Sequence, residues 1–333
     1  MSDESKYKSL PVPYHPTFDV LDSSKIQQFQ DCPRGFFYRY ILGWTSEEES
    51  VHLAFGRAWH DAMEHIYQNG STPQVAAEAY EKFVATYRKS FPNEMTDGER
   101  APKNPATAFN ALGKYIGAFR GTEMEVLFTE VAAAVPIRED RVIHAKCDAI
   151  VRVDGSIWSH EHKTSGRNSA SWRDQWNIKL QIDTYSHLLF SAFPGEHIEG
   201  VMINGAIFTK SKGAEFLRIP VRKRPEDMMS YLWEVNHWVD QIEWNMSELA
   251  RTTPDDPVMP CFPKNGESCS KFGCKYPGLC GSWSNPLKNM HRMPPGYVVE
   301  YWDPRKREEE AKYFARPDGT RVIIEERKTE ENK

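Results

Sequence analysis

Residues 142–165 constrain this chain most, because they place one short turn between two strand-like runs. Asp154 and Gly155 form a two-residue turn signal, since both tolerate the positive φ that a type I′ turn requires. The flanking runs alternate and are rich in Val, Ile and Trp, which is typical of β-strands. The sequence therefore predicts a β-hairpin whose register is set by its turn.

The predicted register brings two acidic residues together. Counting outward from this turn places Asp148 directly opposite Glu161, with Cβ atoms about 4.5–5.5 Å apart. Lys163 lies two residues beyond Glu161 and shares its face, whereas His162 points the other way. Directly opposed like charges destabilise a sheet. The pair therefore suggests a neutralising divalent cation, and carboxylate oxygens suit Mg²⁺ or Mn²⁺. The alternative is a surface hairpin whose charges are solvated.

Length and charge set limits on the fold and its partners. The chain has 333 residues, enough for one elaborated domain or two. Its formal net charge is −5, so a DNA substrate would have to meet a local basic groove. No apolar run approaches the roughly 20 residues of a membrane helix, and the first residues contain no apolar signal core. We therefore expect an intracellular, cytoplasmic protein without a membrane partner.

Two predicted helices carry further candidate residues. In residues 51–68, His60 follows Gly56 by one turn, although a lone histidine on such a helix is more often a packing or surface residue. Residues 175–191 are predicted to form an amphipathic helix on which Gln181 and Tyr185 share a face.

Six cysteines in an intracellular protein favour a metal site or reactive thiols over disulfides. Four of them lie within residues 261–280, which is a strong metal signal. One interpretation is a zinc knuckle made by Cys261, Cys269, Cys274 and Cys280. The other replaces Cys261 with the distant Cys32, which alone would be interpreted as a small buried hydrophobe.

These motifs resemble, in kind and order, those of the PD-(D/E)XK nucleases. Asp148 followed by Glu161-His162-Lys163 resembles the signature of that superfamily. The opening of the chain resembles that of RecB-type and Cas4-type nucleases at Ser24, Ile26, Phe29, Cys32, Pro33, Phe36 and Phe37. Two later pairs are similar to the G-x-x-x-H and Q-x-x-x-Y motifs of these enzymes, namely Gly56 with His60 and Gln181 with Tyr185.

The resemblance implies an α/β fold with a restriction-endonuclease-like core, in which helices flank a mixed central sheet. It also implies a helical insertion and an iron–sulfur staple. The expected organisation is an N-terminal arm (1–21), a nuclease domain (22–284) and a charged C-terminal extension (285–333). Within the nuclease domain we expect the helical insertion at about 61–125 and the cysteine-rich segment at 261–280. In the extension, residues 297–302 and 320–325 are candidate strands that would pair with each other.

The resemblance also implies roles for individual residues. His60, Asp148 and Glu161 would bind Mg²⁺ or Mn²⁺, and Lys163 would orient or deprotonate the attacking water or stabilise charge. Gln181 and Tyr185 would position the substrate. Glu130 occupies the place of a family glutamate with either a direct or a supporting role.

For the cysteines, the resemblance favours a [4Fe-4S] cluster, with zinc as the alternative because the spacing departs from the family's C-x-x-C. The cluster ligands would be Cys32, Cys269, Cys274 and Cys280.

The implied function is metal-dependent hydrolysis of DNA phosphodiesters, with single-strand exonuclease action in recombination, repair or phage DNA metabolism. The partners would be DNA that is single-stranded or has a free end, and a separate helicase or recombination protein. If the chain is phage-encoded, it would act in the host cytoplasm. Two alternatives are a nucleic-acid-binding module that does not cleave and a zinc-stabilised structural or adaptor protein.

Overall fold

A computed structural model describes Tyr7 and residues 9–119, 121–271, 273–307, 312–315 and 323–325. Most of the first eight residues of the predicted arm lie outside this range, as do parts of the predicted C-terminal extension. Contacts between Cα atoms divide the chain into two compact units. The first unit comprises residues 1–48, 136–144 and 229–307, and the second comprises 49–135, 145–228 and 308–333.

Ten α-helices lie in the described part of the chain. They are α1 (Ser23–Asp31), α2 (Pro33–Phe36), α3 (Val51–Asn69), α4 (Pro73–Ser90), α5 (Pro105–Phe119), α6 (Ala170–Asp174), α7 (Leu180–Ala192), α8 (Pro225–Leu249), α9 (Gly266–Lys271) and α10 (Pro277–Ser282). The helix predicted for 175–191 begins only at Leu180, because a separate 3₁₀ turn occupies Gln175–Ile178.

The described strands number nine. They are β1 (Trp44–Ser46), β2 (Glu125–Arg138), β3 (Arg141–Val153), β4 (Ser156–Ser165), β5 (Ile198–Thr209), β6 (Gly213–Arg222), β7 (Tyr297–Val299), β8 (Lys312–Ala315) and β9 (Ile323–Glu325). Strands β1 and β7 pair antiparallel. The others form one sheet in the order β6-β5-β4-β3-β2-β8-β9. Because β4–β5 and β2–β8 are parallel while β3–β4 and β5–β6 are antiparallel, the sheet is mixed.

The central hairpin has the predicted register. Val153 pairs with Ser156, and the ladder continues through Ala149 opposite His160. Asp154 and Gly155 at the turn have φ values of 47° and 80°, as a type I′ turn requires. The next pair outward would be Asp148 and Glu161, and the regular ladder ends just before it.

A hydrophobic core of the second unit lies on one side of β4 and β5. Trp158, Ala206 and Phe208 belong to one cluster with buried side chains from α3, α4 and α5. Aromatic rings dominate this cluster, and Phe208 meets Phe55 and Trp59 edge to face, with ring centroids 4.8 and 5.2 Å apart. Side chains of Glu161 and Lys163 alternate with this set along β4 and point to the other side.

The architecture confirms the predicted fold class, a mixed central sheet flanked by helices. None of the helices in the described residues has the length and apolar character needed to cross a membrane.

Candidate active site

Asp148 sits where the two strands of the hairpin stop pairing. Its Oδ2 accepts a hydrogen bond from the backbone N–H of His162 at 2.7 Å, and its Oδ1 lies 3.0 Å from Nδ1 of His60. The carboxyl is 8% exposed. Burial alone would raise its pKa, but the charge and hydrogen bond of His60, acting with other nearby groups such as Lys163, hold the pKa of Asp148 below its usual range. His60 thus helps to keep an ionised carboxylate inside the protein, at the point where the hairpin strands stop pairing.

His60 reaches this carboxylate from α3. At Gly56, one turn earlier, α3 lies against the end of β4, where an added Cβ would be 3.8 Å from Oγ1 of Thr164. Burial lowers the pKa of His60, but the charge and hydrogen bond of Asp148, together with the charge of Glu161, raise it overall to about 9. In this arrangement His60 carries a proton that partly neutralises Asp148.

Glu130 on β2 joins the same cluster. One ligand atom from each of His60, Glu130 and Asp148 lies within 4.8 Å of the others, a grouping that can hold a metal ion. Glu130 also forms an ion pair with Lys146, with Nζ and Oε2 2.5 Å apart. Its backbone is left-handed, with φ of 51°. A non-glycine residue in this conformation is strained, and such strain concentrates at functional sites.

Glu161 extends the cluster on β4. Its side chain is 2% exposed, Oε1 binds Lys163 and Gln181, and buried Oε2 has no hydrogen-bond partner among the described residues. Burial first, and then the charge of Asp148, raise the pKa values of both Glu161 and Glu130 to about 7.

This donor set fits a divalent cation. The imidazole of His60 and the carboxyls of Glu130 and Asp148 converge within 4.8 Å, and Glu161 on β4 feels the charge of Asp148. Glu130 and Glu161 resist ionisation because they are buried close to other negative charge. The free Oε2 of Glu161 is a buried acceptor that lacks a partner in the described chain. Oxygen ligands with one imidazole suit Mg²⁺ or Mn²⁺.

Lys163 links the carboxylates to α7. Its Nζ lies 2.5 Å from Oε1 of Glu161 and 3.0 Å from Oε1 of Gln181. Gln181 in turn donates through Nε2 to the hydroxyl of Tyr185 at 2.8 Å, as expected for residues one helical turn apart. The structure therefore brings together six of the residues singled out from the sequence: His60, Asp148, Glu161, Lys163, Gln181 and Tyr185.

A buried polar network lies behind the site, against α3 and α5. Nδ1 of His160 lies 2.9 Å from the hydroxyl of Tyr67, and Nδ1 of His162 lies 2.9 Å from Nδ2 of Asn204. The same amide donates to Tyr115 at 2.7 Å. Burial lowers the pKa of His162 to about 3, so its ring is neutral. His162 thus faces away from Glu161, as the strand period predicts.

The candidate cluster cysteines lie in the first unit. The loop around Cys32 is tied to the cysteine-rich segment because Asn265 and Ser268 both donate to the carbonyl of Asp31, at 2.8 and 2.5 Å. Burial, followed by the charge of Cys32, raises the pKa of Cys280 to about 11.

Of the other cysteines, Cys274 has its pKa raised by burial and, to a lesser extent, by Cys269. Cys261 is fully buried, with its Sγ 4.0 Å from Oγ1 of Thr252. The electrostatic influence among Cys32, Cys269, Cys274 and Cys280 indicates that these four lie near one another.

A buried cluster of carboxyls and a histidine beside a lysine, on the hairpin of a mixed α/β sheet, is a site that could hold a metal ion. The chain belongs to the PD-(D/E)XK nuclease superfamily, whose family model matches residues 23–281. Nucleases of this superfamily use divalent metal ions. No curated protein matches the chain in sequence.

Two solved structures are similar to parts of the chain. One is the crystal structure of a provisionally named exonuclease from Eubacterium rectale, with 15% identity and a TM-score of 0.41 over 75% of this chain and 85% of that one. The other is SSO0001, with 15% identity and a TM-score of 0.26 over 47% of this chain and 69% of that one.

Sequence reasoning left the role of Glu130 open, and nothing in its strand-like surroundings signals the left-handed backbone. Two tryptophans near Lys163 were also missed. Nζ of Lys163 lies 5.8 Å from the ring centroid of Trp176, whose ring meets that of Trp172 edge to face at 5.5 Å. An available signal was their four-residue spacing just before the Q-x-x-x-Y helix.

Proposed function

We propose that this protein is a divalent-metal-dependent deoxyribonuclease of the RecB and Cas4-like type, degrading single-stranded DNA from an end. The observation that carries the proposal is the convergence of His60, Glu130 and Asp148 within 4.8 Å, next to the pair of Glu161 and Lys163.

His60, Asp148 and Glu161 would hold the cation, and Glu130 lies close enough to join them. The cation would supply Lewis acidity at the phosphate and a more acidic water. A histidine ligand shifts the preference from Mg²⁺ towards Mn²⁺. Before the metal binds, the protonated His60 keeps the buried negative charge of Asp148 paired, and loss of that proton would leave the imidazole free as a ligand.

Lys163 would orient or deprotonate the attacking water, or stabilise charge on the phosphate. Its ammonium is fixed between Glu161 and Gln181, so it does not have to be reorganised during the reaction. Gln181 lies in the first turn of α7, which begins without a side-chain cap. Free backbone N–H groups at such a helix end favour an anion, and Gln181 with Tyr185 would position the substrate phosphate there.

DNA as substrate is supported by local charge. The chain as a whole carries −5, yet residues 163–179 contain Lys163, Arg167, Arg173 and Lys179 against a single Asp174. A local excess of cations beside the carboxylates meets the need for a basic groove.

We assign Cys32, Cys269, Cys274 and Cys280 to a [4Fe-4S] cluster that staples the start of the chain to the segment after α8. The opening of the chain around Cys32, which resembles that of iron–sulfur nucleases, supports a cluster over a single zinc ion.

The decisive experiment is digestion of end-labelled single-stranded DNA by anaerobically purified protein with Mn²⁺. We expect cleavage by the wild type, none by Asp148→Ala or Lys163→Ala, and a product ladder that gives the polarity. Lys82→Ala, which removes an exposed lysine of α4, is the matched control and should cleave normally. A wild-type protein that binds DNA but cleaves nothing with any divalent metal would establish the non-cleaving module instead.

The cluster has its own test. Anaerobic protein should be brown, contain iron and sulfide, and lose both on Cys274→Ser substitution, whereas Cys261→Ser should retain them. Colourless protein with one zinc ion would overturn the iron–sulfur assignment. We further propose a role in recombination, repair or phage DNA metabolism, in the cytoplasm and with a separate helicase or recombination protein as partner.

A further inference from the structure

Residues 166–179, here called the tryptophan segment, lie between β4, which carries Lys163, and α7, which carries Gln181. Its ends are fixed: Oγ of Ser165 donates to the carbonyl of Arg167 at 2.9 Å, and Nζ of Lys223 donates to the carbonyl of Asn177 at 3.0 Å. The segment is therefore held in place beside the catalytic lysine.

Trp172 packs so closely against the sheet that the residue beneath it has no room for a side chain. Gly205 on β5 pairs with Lys163 on β4. A Cβ added to Gly205 would come within 2.8 Å of Cη2 of Trp172. Paired residues of parallel strands point to the same face. The partly exposed indole of Trp172 consequently covers the sheet next to Lys163.

Trp176 is 7% exposed, and its Nε1 is a buried donor with no partner among the described residues. An unsatisfied buried donor is unfavourable, so the fold alone does not complete the contacts of this segment. Close by, Ile178 is 85% exposed, which is unusual for a large aliphatic side chain.

The charge of the tryptophan segment is also uneven. It holds Arg167, Arg173 and Lys179 against Asp174, a local net charge of +2. Arg167 and Arg173 are both exposed. Aromatic and aliphatic surface interleaved with cations suits a polyanion whose monomers have flat faces, which is single-stranded nucleic acid.

We propose that the tryptophan segment is the base-stacking platform for the single-stranded DNA that enters the catalytic site. Trp172 stacks on a base near the scissile phosphate, and Arg173 contacts a backbone phosphate. This inference rests on the proposed function and specifies how the substrate is held, independently of the metal.

The first test measures binding without cleavage. Fluorescein-labelled oligothymidylate is titrated in EDTA with wild type, Trp172→Ala and Trp172→Phe, and anisotropy gives Kd. One stacked base corresponds to an affinity decrease of about 5- to 100-fold for Trp172→Ala, and Trp172→Phe should retain most of the affinity. Trp233→Ala, which removes a 71% exposed tryptophan of α8, is the matched control and should bind normally.

Strands with one abasic nucleotide, moved position by position, separate stacking from a general loosening of the fold. At one abasic position, the wild type should bind as weakly as Trp172→Ala binds the intact strand. Trp172→Ala should lose little further affinity at that same position, because the stacking interaction is already absent. Equal decreases at every position in both proteins, or equal affinity of Trp172→Ala and Trp233→Ala, would overturn the platform. Preference for duplex over single-stranded DNA would overturn it as well.

The phosphate interaction of Arg173 is tested by salt dependence. For single strands, removing one cation that pairs with a phosphate should reduce the slope of log Kd against log salt by about 0.7. We expect this change for Arg173→Gln and not for Lys82→Gln, an exposed lysine of α4. Equal slopes for the two variants would remove Arg173 from the interface.

The outcomes separate this inference from the proposed function. If the wild type cleaves with Mn²⁺ but Trp172→Ala binds like wild type, the platform fails and the nuclease stands. If the wild type does not cleave while the Trp172 and abasic effects appear, the nuclease fails and the platform stands.

Discussion

The two faces of β4 and β5 carry side chains of different character. One face carries Trp158, Ala206 and Phe208, and buries them against helices α3–α5. The other carries Glu161 and Lys163, with a buried carboxylate oxygen that lacks a partner in the described residues. Because side chains alternate along a strand, one short stretch packs Trp158 into a core on one face and presents Glu161 and Lys163 on the other.

The comparison predicts that activity and stability can be lost separately, by substitutions on the two faces. Asp148→Asn keeps the shape of the side chain but removes the charge that the metal requires. We expect cleavage of single-stranded DNA to fall by about a thousandfold, with a melting temperature close to wild type. Initial rates with Mn²⁺ and a thermal melt check both points. Asp140→Asn, at an exposed turn residue, should change neither. A large drop in the melting temperature of Asp148→Asn would contradict the separation.

A substitution on the face that carries Phe208 should lower stability and leave activity unchanged. Phe208→Ala removes a fully buried ring and leaves a cavity, which lowers the free energy of unfolding by about 3–5 kcal/mol. Activity per folded molecule should stay near wild type at low temperature. Urea denaturation gives the first quantity and active-site titration the second. Phe109→Ala, at a 57% exposed ring, is the control. Loss of activity in fully folded Phe208→Ala would show that the faces are coupled.

Glu130 tests which carboxylates belong to the metal site. If its carboxylate belongs to the metal site, Glu130→Gln should weaken Mn²⁺ binding by about 10- to 100-fold. Isothermal titration calorimetry measures this directly. Glu125→Gln, on the same strand with a 66% exposed side chain, should bind Mn²⁺ like wild type. Unchanged affinity in Glu130→Gln would restrict Glu130 to its ion pair with Lys146.

Lys103 is a buried cation beside the aromatic rings of the first face, and it gives the smallest effect. Its Nζ lies 4.6 Å from the ring centroids of both Phe55 and Phe208, and burial lowers its pKa to about 7. Above pH 7 and up to the ordinary lysine pKa, the unfolded chain binds more protons than the folded one, so stability rises with pH. Below pH 7 the full penalty of the buried ammonium is present.

Lys103→Met should therefore be more stable than wild type at pH 7, and the difference should shrink by about 1–3 kcal/mol towards pH 10. Urea denaturation at several pH values measures the difference, and Lys82→Met should show none. A constant difference across this range would mean that Lys103 does not titrate in the fold.

Much of the site was predictable where local rules apply. The turn at Asp154 and Gly155 fixed the hairpin register, and helical periodicity placed Gln181 and Tyr185 on one face. What could not be predicted depends on distant segments. Two examples are the left-handed backbone of Glu130 and the packing of Trp172 against Gly205.

The strand pairing predicted for the C-terminal extension shows the same limit. The prediction that residues 297–302 pair with 320–325 was wrong for the described residues, because Tyr297–Val299 pairs with Trp44–Ser46 and Ile323–Glu325 pairs with β8. Alternation identifies a strand, but its partner depends on which distant edge the folded chain brings alongside it.

The sequence by itself determined the hairpin, its alternation and the order of the motifs, because turn chemistry and strand period act over a few residues. Only the tertiary structure decided that His60, Glu130 and Asp148, from three separate elements, meet within 4.8 Å. It also decided which charges persist. The ionisation of Asp148 and the raised pKa values of Glu130 and Glu161 come from burial and mutual distance, which exist only once the chain is packed.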